Sequence, residues 1–314
     1  MANERAKVRN CSKFAGHVAA MTRPIVKMLI GAVLLAAIGC ESLRAQSLPG
    51  PQGAEEGAIR RQMWLVPAHD RRTMMRTLVY RPPGPGPFPL VVVNHGTTRD
   101  AALRTTLRAE EFAALAQWFV ARGYAVAAPQ RPGLGETGGL YYEDHGACAQ
   151  ADFGKAGFGA AGSIGAAIEY LTRQAFVRKT GVVVVGHSAG GWGALALTTR
   201  NLPAVKAVVA FAPGRGGRMD DVPGRNCAPD RLIAAARTYG EKSRLPILWM
   251  TSANDSFFGP DLTRKLVDAF RVAGGRVEQE PMPAFGPDGH YLIYSPDAVA
   301  LWGPPVERFL ARVR

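Results

Sequence analysis

Several features that would assign this sequence to a class at a glance are missing. There is no C-x-x-C pair among its 4 cysteines, no H-E-x-x-H and no EF-hand loop, so no metal site is implied. Only one stretch, near the N-terminus, is apolar enough to engage a membrane, which excludes a multi-span membrane protein. The 36 glycines and 23 prolines follow no period, so a collagen-like chain is excluded, and no repeat of solenoid length is visible. Basic residues outnumber acidic ones, 38 to 25, but they are dispersed. No Lys/Arg block with interleaved aromatics tracks a nucleic-acid backbone, so the excess reads as an Arg-rich solvated surface and no nucleic-acid partner is expected. What is present is a 47% hydrophobic share with 20% charged residues over 314 positions, enough for a packed globular domain and too apolar for a disordered chain.

Residues 1–45 read as a leader. Arg23 and Lys27 precede the apolar run 28–38, and small and polar residues follow, the pattern of a bacterial secretory signal. Met21 is an alternative start to Met1. Two exits compete: a loose lipoprotein box ending at Cys40, which would carry the lipid, or cleavage after Ala45 to leave a soluble protein beginning at Gln46. Either exports the chain to the periplasm or cell envelope, and membrane contact is expected only through the leader or a lipid on Cys40. Outside the leader two cysteines remain, Cys148 and Cys227, both in polar Gly/Pro-rich flanks. In an oxidising compartment an even count favours a disulfide, with two separately buried thiols as the alternative.

Residues 46–58, rich in Pro, Gly and Glu, read as a flexible tether, and 59–314 as one domain. Segments 62–67 and 73–81 flank a turn and predict an antiparallel hairpin. Short apolar runs at 90–94, 124–128, 182–186, 205–211 and 246–251, with a further strand at 276–282, alternate with helical patterns at 107–122, 160–174, 190–200, 261–273 and 297–312. Strands alternating with helices predict an α/β fold: a mostly parallel sheet with helices on both faces and an antiparallel edge. Residues 130–158 read as a long Gly-rich loop and 212–244 as an insertion with one helical piece, the two together forming the pocket wall. Two matches to G-x-G-x-x-G, beginning at Gly133 and Gly157, lack the strand–turn–helix setting and acidic partner of a dinucleotide site, so no cofactor is expected.

The most informative stretch is Gly186-His187-Ser188-Ala189-Gly190, directly after the valines 182–185 and before a helical pattern. A strand that turns into a helix through G-x-S-x-G forces the serine into a tight turn with its hydroxyl projecting from the sheet edge. Ser188 is the candidate nucleophile, and the backbone N–H of Ala189 is a candidate oxyanion donor. Of six histidines, only His290 follows this turn in sequence. The α/β-hydrolases that this turn resembles order their triad Ser, acid, His, with the base before the last helix. That resemblance implies Asp255, after the strand 246–251, as the acid, with Asp220 and Asp221 as alternatives, while Asp288 shares a loop with His290 and reads as a turn residue. Asn94-His95-Gly96-Thr97 follows an early buried strand and offers the Thr97 N–H as a second oxyanion donor, His95 reading as structural.

At Asn94–Thr97, Ser188, Asn254-Asp255 and Gly289-His290 the chain resembles the α/β-hydrolase superfamily, in particular its dienelactone-hydrolase-like serine esterase branch. Dienelactone hydrolases proper carry Cys at the nucleophile, where this chain has Ser188. The resemblance implies a catalytic triad of Ser188, Asp255 and His290, no cofactor, and hydrolysis of a small carboxylic ester through an acyl-enzyme. A peptidase or amidase on the same scaffold, and a non-catalytic envelope lipoprotein, are the alternatives.

Overall fold

A computed structural model describes residues 48–108 and 112–313. The leader, with its apolar run, Cys40 and Ala45, lies outside the described residues. The four valines of strand β6 (Val182–His187) alternate between two separate hydrophobic layers: Val182 and Val184 pack into one, Val183 and Val185 into the other. A continuous apolar run is therefore what a central strand needs when both faces are covered.

Eight further strands join it: β1 (Gly50–Glu56), β2 (Arg61–Pro67), β3 (Met74–Tyr80), β4 (Leu90–Asn94), β5 (Ala125–Pro129), β7 (Val205–Phe211), β8 (Ile247–Ser252) and β9 (Val277–Met282). Among the described residues they form one sheet in the order β1-β2-β3-β5-β4-β6-β7-β8-β9. The pairings from β5 to β9 are parallel and those from β1 to β5 antiparallel. The helices are α1 (Ala101–Arg104), α2 (Ala113–Val120), α3 (Phe153–Leu171), α4 (Ala189–Leu197), α5 (Pro229–Lys242), α6 (Pro260–Val272) and α7 (Val299–Arg312). Ile164 of α3, Trp192 of α4, Tyr239 of α5 and Phe270 of α6 fill one layer; Phe119 of α2 with Trp302 and Phe309 of α7 fill the other. The predicted α/β sheet with helices on both faces and an antiparallel edge is thus observed.

Two expectations are corrected. Residues 50–56 are not a tether but edge strand β1, paired antiparallel with β2 from Gly50 opposite Leu65 to Glu56 opposite Arg61. Its side chains are mostly exposed, so no apolar pattern marks it; an edge strand needs only its backbone ladder, and Pro51 is tolerated there. Glu55 pairs with Arg60 and Arg81, and Glu56 with Arg61, which ties the strand down. Second, α3 begins at Phe153, not near residue 160. Asp152 caps it by accepting from the Lys155 N–H at 2.8 Å. The glycines that read as loop mark close packing: a Cβ on Gly157 would sit 2.1 Å from the Tyr239 hydroxyl oxygen.

β4 has β5 on one side and β6 on the other, so the chain reverses its direction of travel across the sheet at this point. In open α/β sheets a crevice forms at the carboxyl ends of strands flanking such a reversal. Asn94 at the end of β4 lies in register with Gly186 near the end of β6.

Candidate active site

The turn between β6 and α4 is built around Ser188, whose backbone stands at φ 50°, ψ −120°. A positive φ costs a non-glycine residue on the order of 1–3 kcal/mol, and such strain persists only where the surroundings impose it. Here the Ser188 N–H donates to the Phe211 carbonyl at 3.0 Å, and the Ser188 carbonyl accepts from Trp192 and Gly214 N–H groups at 2.9 and 3.2 Å. A Cβ on Gly190 would lie 2.3 Å from the Asn94 carbonyl oxygen, so the β4 loop closes directly over the turn. Ala189 opens α4, and first-turn N–H groups have no partner within their own helix, leaving its donor at the positive helix end. Thr97 follows Gly96, where a Cβ would stand 3.2 Å from that of Ser188.

Asp255 lies in the loop after β8 and His290 in the loop after β9; both are buried. His290 Nδ1 is 3.1 Å from each oxygen of the Asp255 carboxylate. The Asp255 Oδ1 also accepts from the Phe257 and Phe258 N–H groups, both at 2.8 Å, which fixes the carboxylate in its plane. The Phe257 ring stacks on the imidazole at 4.0 Å. An Nδ1–H donated to a carboxylate leaves Nε2 with its lone pair, the state a general base requires. The alternative acids stand elsewhere: Asp221 pairs with Arg218 and Asp220 with Arg225 in an exposed turn. Asp288 accepts from the His290 N–H at 3.0 Å and from the Ser256 hydroxyl at 2.5 Å, which shapes the loop.

Three features escaped sequence reasoning. His187 binds the His290 main chain. Tyr294 binds His187 in turn. The third is a buried ionic cluster, in which Glu143 accepts from Arg131 at 2.5 Å and from Arg215 at 3.1 Å. Burial favours the neutral acid, but the two guanidiniums outweigh it and hold the Glu143 pKa below the usual carboxylate range. Burial of Arg131 follows from tertiary pairing and has no local sequence signal. Among the described residues no group of three or more His, Cys, Asp or Glu could hold a metal ion.

Cys148 and Cys227 form a disulfide, with Cα atoms 5.4 Å apart across 79 residues of sequence. It joins the segment that carries Glu143 to the segment that carries Arg215, since the Cys227 N–H donates to Gly216 at 2.8 Å. Reduction is expected to destabilise the domain by about 2–5 kcal/mol. Activity should then fall at temperatures where the far-UV signal is still native. Parallel loss of both signals would show that the bridge supports the sheet rather than the site.

His95 and His187 are fully buried rings. Burial, reinforced for His95 by Arg131 and for His187 by His290, lowers both pKa values: His95 to about 3, His187 well below its ordinary range. The unfolded chain therefore binds two protons that the folded chain refuses as pH falls below ~6.5, and stability must fall in that direction. The loss builds as pH falls from ~6.5, at a rate approaching ~1.4 kcal/mol per pH unit for a ring that stays neutral in the fold. Urea midpoints at pH 7 and pH 5 check this; equal midpoints would contradict it.

The sequence profile of the dienelactone hydrolase family matches residues 75–281. The chain belongs to this family. The match includes Ser188 and Asp255 and ends before His290. No curated protein sequence matches the chain. Solved structures with the same fold include the Pyrococcus furiosus esterase Pf2001, at 15% identity and TM-score 0.56, covering 87% of this chain and 99% of that one. The Pyrococcus horikoshii acylaminoacyl peptidase is 14% identical at TM-score 0.58, covering 84% of this chain and 43% of that one. Porphyromonas gingivalis dipeptidyl peptidase 4 is 15% identical at TM-score 0.53, covering 79% and 36%. At these identities the likeness is one of fold. This dienelactone hydrolase family member is accordingly a hydrolase whose bond preference must be argued from its own site.

Proposed function

We propose that the chain is an exported serine esterase. The observation that carries this reading is the Asp255–His290 pair, fastened through the His290 carbonyl to the residue before a serine held at φ 50°. Ser188 Oγ attacks the ester carbonyl carbon while His290 Nε2 takes its proton. The carbonyl oxygen becomes an oxyanion, met by the Ala189 and Thr97 N–H groups. As the tetrahedral adduct collapses, the C–O bond to the alcohol breaks and His290 returns the proton to the leaving oxygen. Water then attacks the acyl-enzyme with its proton passing to His290. The second collapse releases the carboxylic acid and restores Ser188. Asp255 stabilises the imidazolium in both half-reactions. The substrate is a small carboxylic ester, and no cofactor enters the scheme.

Export is supported by the leader sequence and by the Cys148–Cys227 bridge, which suits an oxidising compartment. The test of the activity is a series of p-nitrophenyl esters of rising chain length beside matched p-nitroanilides, with fluorophosphonate labelling of the same protein. Labelling with turnover of the esters is expected. Preference for the anilides would make the protein an amidase, and failure to label would leave a binding protein on a hydrolase fold.

A further inference from the structure

The hydrolytic scheme makes no use of His187, yet this ring is what fastens the base to the nucleophile turn. His187 is the last residue of β6 and precedes Ser188. Its Nε2 lies 2.8 Å from the His290 main-chain oxygen and its Nδ1 lies 2.8 Å from the Tyr294 hydroxyl. A carbonyl can only accept, so Nε2 carries the proton. In a neutral ring Nδ1 then accepts, and the Tyr294 hydroxyl donates. The ring lies close against Gly96, where an added Cβ would stand 3.2 Å from its Nδ1. His290 is thereby held at four points: by Asp255 at Nδ1, by Phe257 stacked at 4.0 Å, by Asp288 at its N–H, and by His187 at its own carbonyl, with the two imidazoles 4.7 Å apart.

We propose that His187 is a positioning residue for the base. Its Nε2–H···O=C bond sets where the His290 ring stands relative to Ser188, and Tyr294 fixes the tautomer that makes this bond. The inference rests on the serine-hydrolase reading. It follows from chain connectivity: His187 and Ser188 are adjacent on one rigid turn, so a bond from His187 to residue 290 locates His290 in the frame of the nucleophile. Asp255 orients the ring from the loop after β8, which is not continuous in sequence with the nucleophile turn. Misplacement of a reacting group by about 1 Å costs on the order of 100-fold in rate, so one bond of this kind has kinetic weight.

Three substitutions separate this role from simple packing. Gln carries an amide N–H at nearly the reach of Nε2 and can still donate to the His290 carbonyl. Asn reaches only the Nδ1 position and cannot. Leu offers neither. His187→Leu and His187→Asn are expected to lower kcat by about 10–100-fold with KM within ~3-fold, while His187→Gln stays within ~5-fold of wild type. The rate of fluorophosphonate labelling at Ser188 should follow kcat, since it depends on the same proton transfer. Melting temperatures are read alongside. If Gln loses as much kcat as Leu while remaining folded, or if Leu retains wild-type kcat, the inference is overturned. A wild-type protein that turns over no ester and takes no label overturns the hydrolase reading instead, and the two failures are told apart by the wild-type control.

Discussion

Ser188→Ala protein should be folded, should melt close to wild type, and should show no measurable ester turnover. Removing the nucleophile of a Ser-His-Asp site costs on the order of 10⁶-fold in kcat, leaving only what binding and the oxyanion donors contribute. The fold should tolerate the change because everything that holds the turn is main chain: the Ser188 N–H to Phe211 and the Ser188 carbonyl to Trp192 and Gly214. Alanine keeps the Cβ that packs near Gly96 and meets the same positive-φ cost as serine. The measurements are steady-state hydrolysis of a short p-nitrophenyl ester, fluorophosphonate labelling and a melting curve on the same preparation. Turnover at wild-type level in a folded Ser188→Ala protein would falsify the nucleophile assignment, since the reaction would then proceed without the Ser188 hydroxyl.

Why this residue was visible in the sequence, while its supports were not, has a physical reason. A buried central strand must be apolar on both faces, and a strand-to-helix turn this tight admits only small residues, so Val182–Gly190 carries its own structure locally. The expectation of His290 and Asp255 rests on chain order: from β6 to β9 the strands lie in sequence, so the loops after β8 and β9 open at the same end of the sheet as the turn after β6. The contact of His187 with His290 is not legible in the sequence, because it joins residues more than 100 positions apart and the neighbours of His187 give no hint of it. The Arg131–Glu143–Arg215 cluster is hidden for the same reason: charged residues in Gly-rich segments read as surface until the fold closes over them. β1 was missed for the opposite reason, since an exposed edge strand is specified by backbone pairing and ion pairs rather than by apolar alternation. Glycine in isolation signals a loop, which places the start of α3 too late, yet Gly157 marks the place where Tyr239 and Trp192 approach the helix. Periodic and local features are therefore legible, and long-range polar contacts are not.

Asp255→Asn should lower kcat by about 10⁴-fold with little change in stability, because an amide in this loop reverses the tautomer of the base. The Asp255 Oδ1 accepts two main-chain N–H groups, from Phe257 and Phe258, and an asparagine will keep its carbonyl oxygen there to satisfy both. Its NH2 group is then forced into the place of Oδ2, 3.1 Å from His290 Nδ1. A donor in that position drives the ring toward the form with its lone pair on Nδ1 and its proton on Nε2, since the Oδ1 carbonyl, also 3.1 Å from Nδ1, is already taken by two main-chain N–H groups. That form cannot take the Ser188 proton, and the imidazolium formed in the transition state loses its counter-charge. Both effects act on the reacting state, so kcat should fall while KM changes little. Asp221→Asn is the control: the side chain is exposed and paired with Arg218, and its loss should alter kcat by less than about 3-fold, as for an exposed ion pair of small energy. If Asp221→Asn were the damaging change and Asp255→Asn the silent one, the acid would belong to the turn after β7. The hydrogen bonds from His290 to Asp255 would then have to be structural, a reading at odds with a carboxylate pinned by two N–H groups and aimed at the imidazole.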